Sequence, residues 1–387
     1  MSSVPKKIFI TAGEISGDHN AALLVRAVRE IDSSFEFVGI GSARMREAGV
    51  RLLADSTTWG SVGFFEGLAK SFKLYPAVRG ISRWFEDEKP DLFVPVDYRV
   101  FNVRAAKIAK AKGLKVVYFF SPVSWFGSGL KRFRALAEFV DLSLVALPVS
   151  LDNYRAAGAN FEFIGHPLVD AARPSMAREQ ALEVFGLGDS RPVIGLMPGS
   201  RFQEIGRLMP VFVRAAEMIG EKMPDAQFLL LKASDAFTQM IDRQTVGTGI
   251  KVISGNIYDF MNICDLLILC SGTAAHEATL MRKPMIINYK LSAVTAWIAR
   301  RTIAPPMIGL PNIIAGEFIA PELVQEECTP EKVAGKALEI LTSDEIRAGM
   351  AARLGEVAEK LGAPGVLARA ARRVVDAANG IIPKLNG

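Results

Sequence analysis

Leu266-Leu267-Ile268-Leu269-Cys270-Ser271-Gly272-Thr273-Ala274-Ala275-His276-Glu277-Ala278-Thr279-Leu280 reads as a buried strand, a turn of small residues and the opening turns of a helix. A short apolar run closed by Ser-Gly fits a strand covered on both faces, as in a parallel sheet. Gly272 and Ala274 let a ligand come close to the backbone. The first amides of the helix lack intrahelical partners, so the junction suits a phosphate. Glu277 falls about one turn in, where a carboxylate can accept hydrogen bonds from two adjacent hydroxyls such as a ribose diol. A structural turn, with Glu277 steadying the helix start, is the other reading of the same residues.

The same unit recurs outward along the chain. Val193-Ile194-Gly195-Leu196-Met197 is a strand, followed by the turn Pro198-Gly199-Ser200-Arg201 and a long helix carrying Glu204 and Phe212. Gly199 and Ser200 offer amides and a hydroxyl there, and Arg201 a charge suited to a diphosphate. Phe228 to Leu231, Lys251 to Ile253 and Met285 to Tyr289 add strands. In the first half, Ile8 to Ala12 leads into Gly13-Glu14-Ile15-Ser16-Gly17-Asp18-His19, read as a loop ahead of a helix from about Asn20. This loop is not G-x-G-x-x-G, so it does not point to a dinucleotide. Phe35 to Ile40, Leu92 to Asp97, Val116 to Phe120, Leu142 to Leu147 and Phe161 to Phe163 read as further strands. Asp97, closing its strand, is either a general base at the carboxyl edge of the sheet or an N-cap for the next helix. His166 is either a lining residue or a hydrogen-bonded structural histidine.

Composition limits the classes open to the chain. With 387 residues, half of them apolar, it is long enough for two cores and too apolar for disorder. No apolar run reaches the roughly 18–20 residues needed to span a bilayer, and Ile8-Phe9-Ile10 is too short for a signal-peptide core. The expected setting is cytoplasmic. The net charge of +5 is dispersed, which fits nucleotide phosphates or an anionic lipid surface rather than a nucleic acid. Cys264, Cys270 and Cys328 form no CxxC pair, no Asp-x-Asp follows an apolar strand, and the three histidines are scattered. No metal site and no cofactor are therefore expected. Val62, Phe64, Phe65, Leu68, Phe72 and Tyr75, with Lys70 and Lys73 among them, make an amphipathic stretch. It reads as a membrane or acyl-chain dock or as the buried face of a packing helix.

Two βαβ arrays meet between Pro167 and Arg191. The expected architecture is α/β of GT-B type: two doubly wound Rossmann-like domains facing a central cleft, with a helical C-terminal segment. The divisions fall at 1–167, 168–362 and 363–387, and the resemblance drawn from the segments below implies that the last packs back on an N-terminal domain of its own or a partner chain.

Eight ordered segments carry a resemblance. They are Ala12 to Asp18, Phe37 to Gly41 with Arg44-Met45, Lys89-Pro90-Asp91 with Asp97 and Phe101-Asn102, and Phe163 to His166. In the second half come Met197 to Arg201 with Glu204, Ser271 to Ala275 with Glu277, Leu310 to Gly316, and Gln325 to Cys328. Together they resemble the lipid-A-disaccharide synthase family. The resemblance implies an inverting, metal-independent transfer of 2,3-diacylglucosamine from its UDP derivative to the 6-hydroxyl of 2,3-diacylglucosamine 1-phosphate, at the cytoplasmic face of the inner membrane. It makes Asp97 the base and Arg201 the residue that meets leaving-group charge. Gly199, Ser200, Glu204, Ser271, Gly272, Thr273, Ala274 and Glu277 join Arg201 around UDP. Glu14, Ser16, Gly17, Asp18, Asn102 and Ser121 become the acceptor-side loops, the Val62 to Tyr75 stretch a membrane dock, and a homodimer the family precedent. The chain departs from the family in having Tyr98-Arg99-Val100 where Ala-Pro-Asp is usual, and Trp125-Phe126-Gly127-Ser128-Gly129 in place of a Trp-rich run. Arg99 either lowers the basicity of Asp97 or binds an acceptor phosphate.

Overall fold

Alternation along β1 (Lys7–Ala12) sets the layering of the first sheet. Ile8 and Ile10 bury on one face with Leu24, Val25 and Val374. Phe9 buries on the other with Phe85, Phe93 and Phe101, as the two-residue period of a strand requires. The computed structural model describes residues 5–13, 15–56, 71–97, 99–123, 130–188, 192–291 and 307–385, and for 15, 71–79, 99, 100 and 132 the backbone alone. The chain divides into two compact units, Met1–Asp170 with Leu361–Gly387, and Ala171–Lys360.

The first unit holds β1, β2 (Glu36–Gly41), β3 (Arg51–Asp55), β4 (Leu92–Val96), β5 (Lys115–Phe119), β6 (Leu142–Val145) and β7 (Phe161–Phe163). They form one sheet in the order β3-β2-β1-β4-β5-β6-β7. The pairings are parallel, with Phe9 opposite Val38 on one side and Phe93 on the other. β4 is buried throughout, because helices cover both faces of a parallel sheet. Helix Ile15–Ile31 lies on one face, joined by the C-terminal helix Val366–Ala378, whose Ala370, Ala371 and Val374 pack into the same core. Asp170 starts that last helix by accepting the amides of Gly365 and Leu367 at 2.6 and 2.9 Å. The opposite face carries Phe85 and Phe93 in edge-to-face contact at 5.1 Å.

The second unit repeats the plan with β8 (Val193–Met197), β9 (Gln227–Leu231), β10 (Lys251–Ile253), β11 (Leu266–Cys270), β12 (Met285–Tyr289) and β13 (Glu322–Val324), ordered β10-β9-β8-β11-β12-β13. Its pairings are also parallel. β8 and β11 bury every residue.

Both orders reverse beside the first strand of their unit, between β1 and β4 and between β8 and β11. At such a switch point the two following loops run in opposite directions and leave a crevice at the carboxyl edge of the sheet, where ligands of open α/β sheets bind.

Two elements differ from the sequence expectation. The first helix begins at Ile15 rather than near Asn20, so Ser16, Gly17 and Asp18 belong to its opening turn. β3 and β13 also appear where no strand was expected; Glu-Leu-Val is too short to show a period.

Candidate functional site

In the second unit, β8 and β11 lie side by side with Leu269 opposite Met197, which brings the Pro198 to Arg201 turn next to the Ser271–Gly272 turn. Gly199 has φ +120°, and a Cβ there would stand 2.7 Å from both Cβ and Oε2 of Glu204, so the turn takes this path only with glycine. Glu204 accepts the Ser200 amide at 3.1 Å and pairs with Arg201 Nη1 at 2.8 Å. Two residues expected at UDP are thus bonded to each other within the turn. The Ser200 amide, expected to face a phosphate, is engaged within the turn, and Glu204 shapes the turn from the third helical position by reaching back to the amide that precedes the N-cap. Arg201 is the N-cap of helix Phe202–Lys222.

The neighbouring turn is held from behind. The Ser271 amide donates to the Asn288 carbonyl at 2.9 Å, and its hydroxyl to the Ile308 carbonyl at 3.2 Å. The Ile308 and Gly309 amides both donate to the Glu322 carboxylate at 2.8 Å. Fully buried Asn312 donates to Glu322 and the Ala320 carbonyl while accepting the amides of Ile319 and Ala320. Asn312 and Glu322 thus support the turn, a role that sequence spacing did not reveal. Ser271 serves in this brace.

Gly272 (φ +154°) is exposed, with open space where a Cβ would stand. Thr273 is exposed and opens helix Thr273–Leu280, whose start has no side-chain cap and no acidic residue in its first turn. The amides at Thr273 and Ala274 therefore present the positive end of a helix beside the Arg201 guanidinium turn, an arrangement suited to an anion.

Glu277 lies one turn further in, half-buried, and accepts a hydrogen bond from Tyr258 Oη at 3.2 Å. Burial pushes its carboxyl up to about 7, against the lowering effect of the Tyr258 hydrogen bond. Burial likewise raises the Tyr258 hydroxyl, followed by the charge of Glu277. Tyr258 was not singled out by sequence, since it sits on a different helix, Ile257–Ile263.

In the first unit the switch point places Asp97 just past β4 and Gly17 just past β1. A Cβ on buried Gly17 would lie 3.7 Å from Cβ of Asp97. Asp97 is half-buried with φ +49°, a conformation in which side chains are strained. Asn102 and Ser121 are buried. Ser121 shares a 2.6 Å hydrogen bond with Tyr154 Oη. Asp18, expected to face the acceptor, is 2% exposed, and its two oxygens accept the Ser42 and Arg44 amides at 2.6 and 3.1 Å. It anchors the start of helix Ala43–Glu47 to the first helix. Ser16 is exposed. His166 is 3% exposed, its Nδ1 accepting the Leu168 amide, which is a structural role.

Glu14, Val62, Phe64, Phe65, Leu68 and Tyr98 lie outside the described residues, as does Trp125-Phe126-Gly127-Ser128-Gly129. The side chains of Phe72, Tyr75, Arg99 and Val100 do too. Among the described residues no helix is long and apolar enough to cross a membrane, and no three or more His, Cys, Asp or Glu gather in a metal-holding group.

Known proteins share this arrangement. Two parallel-sheet α/β units of this design are found in an S. aureus MnaA–UDP co-structure (TM-score 0.66, 14% identity, 98% of this chain and 99% of that one). They are also found in the glycotransferase of kitacinnamycin (TM-score 0.63, 16% identity, 98% and 100%). At such identities the likeness establishes the GT-B fold alone. Sequence relatives go further. Lipid-A-disaccharide synthase of Trichlorobacter lovleyi is 40% identical over 374 residues, covering 96% of this chain and 97% of the relative. That of Nitrosococcus oceani is 39% identical over 360 residues, 92% of each. The family model described as Lipid-A-disaccharide synthetase matches residues 8–363. Matched across both sheets, their turns and the link between them, this chain belongs to the lipid-A-disaccharide synthase family of glycosyltransferases.

Proposed function

We propose that the enzyme transfers 2,3-diacylglucosamine from UDP-2,3-diacylglucosamine to the 6-hydroxyl of 2,3-diacylglucosamine 1-phosphate, releasing UDP and the β-1,6-linked disaccharide 1-phosphate. The observation that carries this reading is the pair of turns at the second switch point, an uncapped helix start at Thr273 beside Gly199 and Arg201, in a chain of this family. UDP lies there with its diphosphate on the Thr273 and Ala274 amides and Arg201, and its ribose diol on Glu277. The MnaA co-structure with UDP has the same fold and is consistent with a nucleotide on this sheet edge. Asp97 takes the proton of the acceptor hydroxyl as that oxygen attacks the anomeric carbon. The bond to UDP breaks on the opposite face, inverting the configuration. Negative charge grows on the diphosphate, where prealigned donors lower the barrier.

Incubation of the purified chain with both substrates tests the reading by product and by UDP released. Run on detergent-free anionic vesicles, the same assay tests whether the 62–75 stretch docks on a membrane, since sedimentation of enzyme with the vesicles is then required.

Glu277 gives this site a pH dependence. A diol donates to the carboxylate form, while burial holds the free residue protonated up to about pH 7. UDP affinity is therefore expected to rise with pH through 7, by at most about tenfold per unit below it. Glu277→Gln should bind UDP more weakly and lose that component of the slope. Titration calorimetry at pH 5.5 to 8.5 measures both, and identical slopes in the two proteins would contradict the ribose role.

A further inference from the structure

Asp97 occupies a conformation that its own side chain disfavours, and two elements of the first unit converge on its backbone. Its amide donates to the Phe119 carbonyl at 3.2 Å, prolonging the β4–β5 ladder by one residue. Its carbonyl then accepts two side-chain donors, Tyr118 Oη at 2.8 Å and Asn102 Nδ2 at 2.9 Å. Asn102 Nδ2 also donates to the Val96 carbonyl at 2.9 Å. Carbonyls only accept, so the nitrogen of this amide must face them, and Asn102 Oδ1 is left to accept from Thr11 Oγ1 at 2.7 Å. Asn102 and Tyr118 are fully buried and Thr11 is 1% exposed, which keeps water from competing for these bonds.

A turn with this path would be relaxed by glycine. The chain instead places a carboxylate there and fastens the peptide with β5 and helix Arg99–Ala111, while β1 holds Asn102 through Thr11. We propose that Asn102 and Tyr118 are positioning residues for Asp97, clamping its carbonyl so that the left-handed conformation persists and the carboxylate stays where the acceptor hydroxyl arrives. Thr11 orients Asn102. This rests on the reading of Asp97 as the base. Backbone strain held by surrounding structure is a recurring means of pre-organising a reacting group.

The test is a kinetic cycle in the full chain with both natural substrates. Asn102→Ala and Tyr118→Phe are made singly and again in the Asp97→Asn background. Each single variant is expected to lose at least about tenfold in kcat, the scale on which a small misplacement acts, with UDP affinity within about twofold of wild type. In the Asp97→Asn background neither should cause a further loss, because the group they position no longer works as a base. Equal losses in both backgrounds would mean a merely structural role and overturn the proposal. If Asn102→Ala does not fold, Tyr118→Phe decides alone, since it removes one oxygen and leaves the ring packed. An inactive Asp97→Asn beside fully active Asn102→Ala and Tyr118→Phe would remove the positioning role only. Full turnover in Asp97→Asn would remove the base itself and the positioning role with it.

Discussion

Asp97→Asn is expected to lower turnover by about 10²–10⁴-fold, the usual contribution of a positioned base, with UDP affinity and unfolding temperature near those of wild type. The substitution isolates the chemistry. Asparagine enters the left-handed region as readily as aspartate, so φ +49° adds no new strain. The bonds its backbone makes, through its amide and carbonyl to Phe119, Tyr118 and Asn102, survive the change. UDP is proposed to bind the other unit and should not sense it. Steady-state kinetics with both substrates, UDP calorimetry and thermal unfolding check the three parts. A loss in kcat smaller than about threefold would remove Asp97 from proton transfer.

The second large effect belongs to Arg201. Its alanine variant is expected to lose about 10²–10³-fold in turnover, the scale seen when one charge-stabilising donor is deleted. UDP binding weakens as well. The side chain is 57% exposed, so its pairing with Glu204 contributes only about 0–1 kcal/mol to folding, and the unfolding temperature should hardly move. Local consequences are larger. Without the guanidinium, Glu204 keeps the Ser200 amide and places an uncompensated carboxylate in the turn proposed to meet the diphosphate. Arg201→Lys restores the charge but not the two-pronged geometry, and should fall between the two. Turnover of Arg201→Ala within twofold of wild type would mean that leaving-group charge is met elsewhere.

Much of this site is legible in the sequence because it depends on local features. Apolar runs such as Leu266-Leu267-Ile268-Leu269 announce buried parallel strands, and their alternation with helices fixes two doubly wound sheets. The residues just past β1, β4, β8 and β11 then fall at the switch points, which is where the structure places the proposed site residues Asp97, Gly199, Gly272 and Glu277. Residues whose role depends on a distant partner stayed hidden. Tyr258 meets Glu277, Glu322 braces the Ser271 turn through Ile308, and Thr11 reaches Asn102 91 positions away. Asp18 was misplaced because Ser-Gly-Asp reads as loop, although it stands in a helix already begun at Ile15. Glu204 reaches back four residues to the Ser200 amide, a local bond that its spacing allows.

The fold by itself does not separate chemistries. Membership in the synthase family rests on sequence shared along almost the whole chain. What remains distinctive is the stretch after Asp97, the proposed base, where Tyr98-Arg99-Val100 stands in place of Ala-Pro-Asp, so that the second acid is absent and a cation lies close by in sequence.

The most direct measurement is therefore of the product itself. Purified enzyme is given UDP-2,3-diacylglucosamine and 2,3-diacylglucosamine 1-phosphate, and the lipid product is identified by mass and by the anomeric coupling of its new linkage. We expect a β-1,6-linked disaccharide 1-phosphate formed in equal amount to UDP, and loss of both when Asp97 is replaced by asparagine. UDP that binds with no disaccharide made, or a disaccharide made at the wild-type rate by Asp97→Asn, would contradict the account.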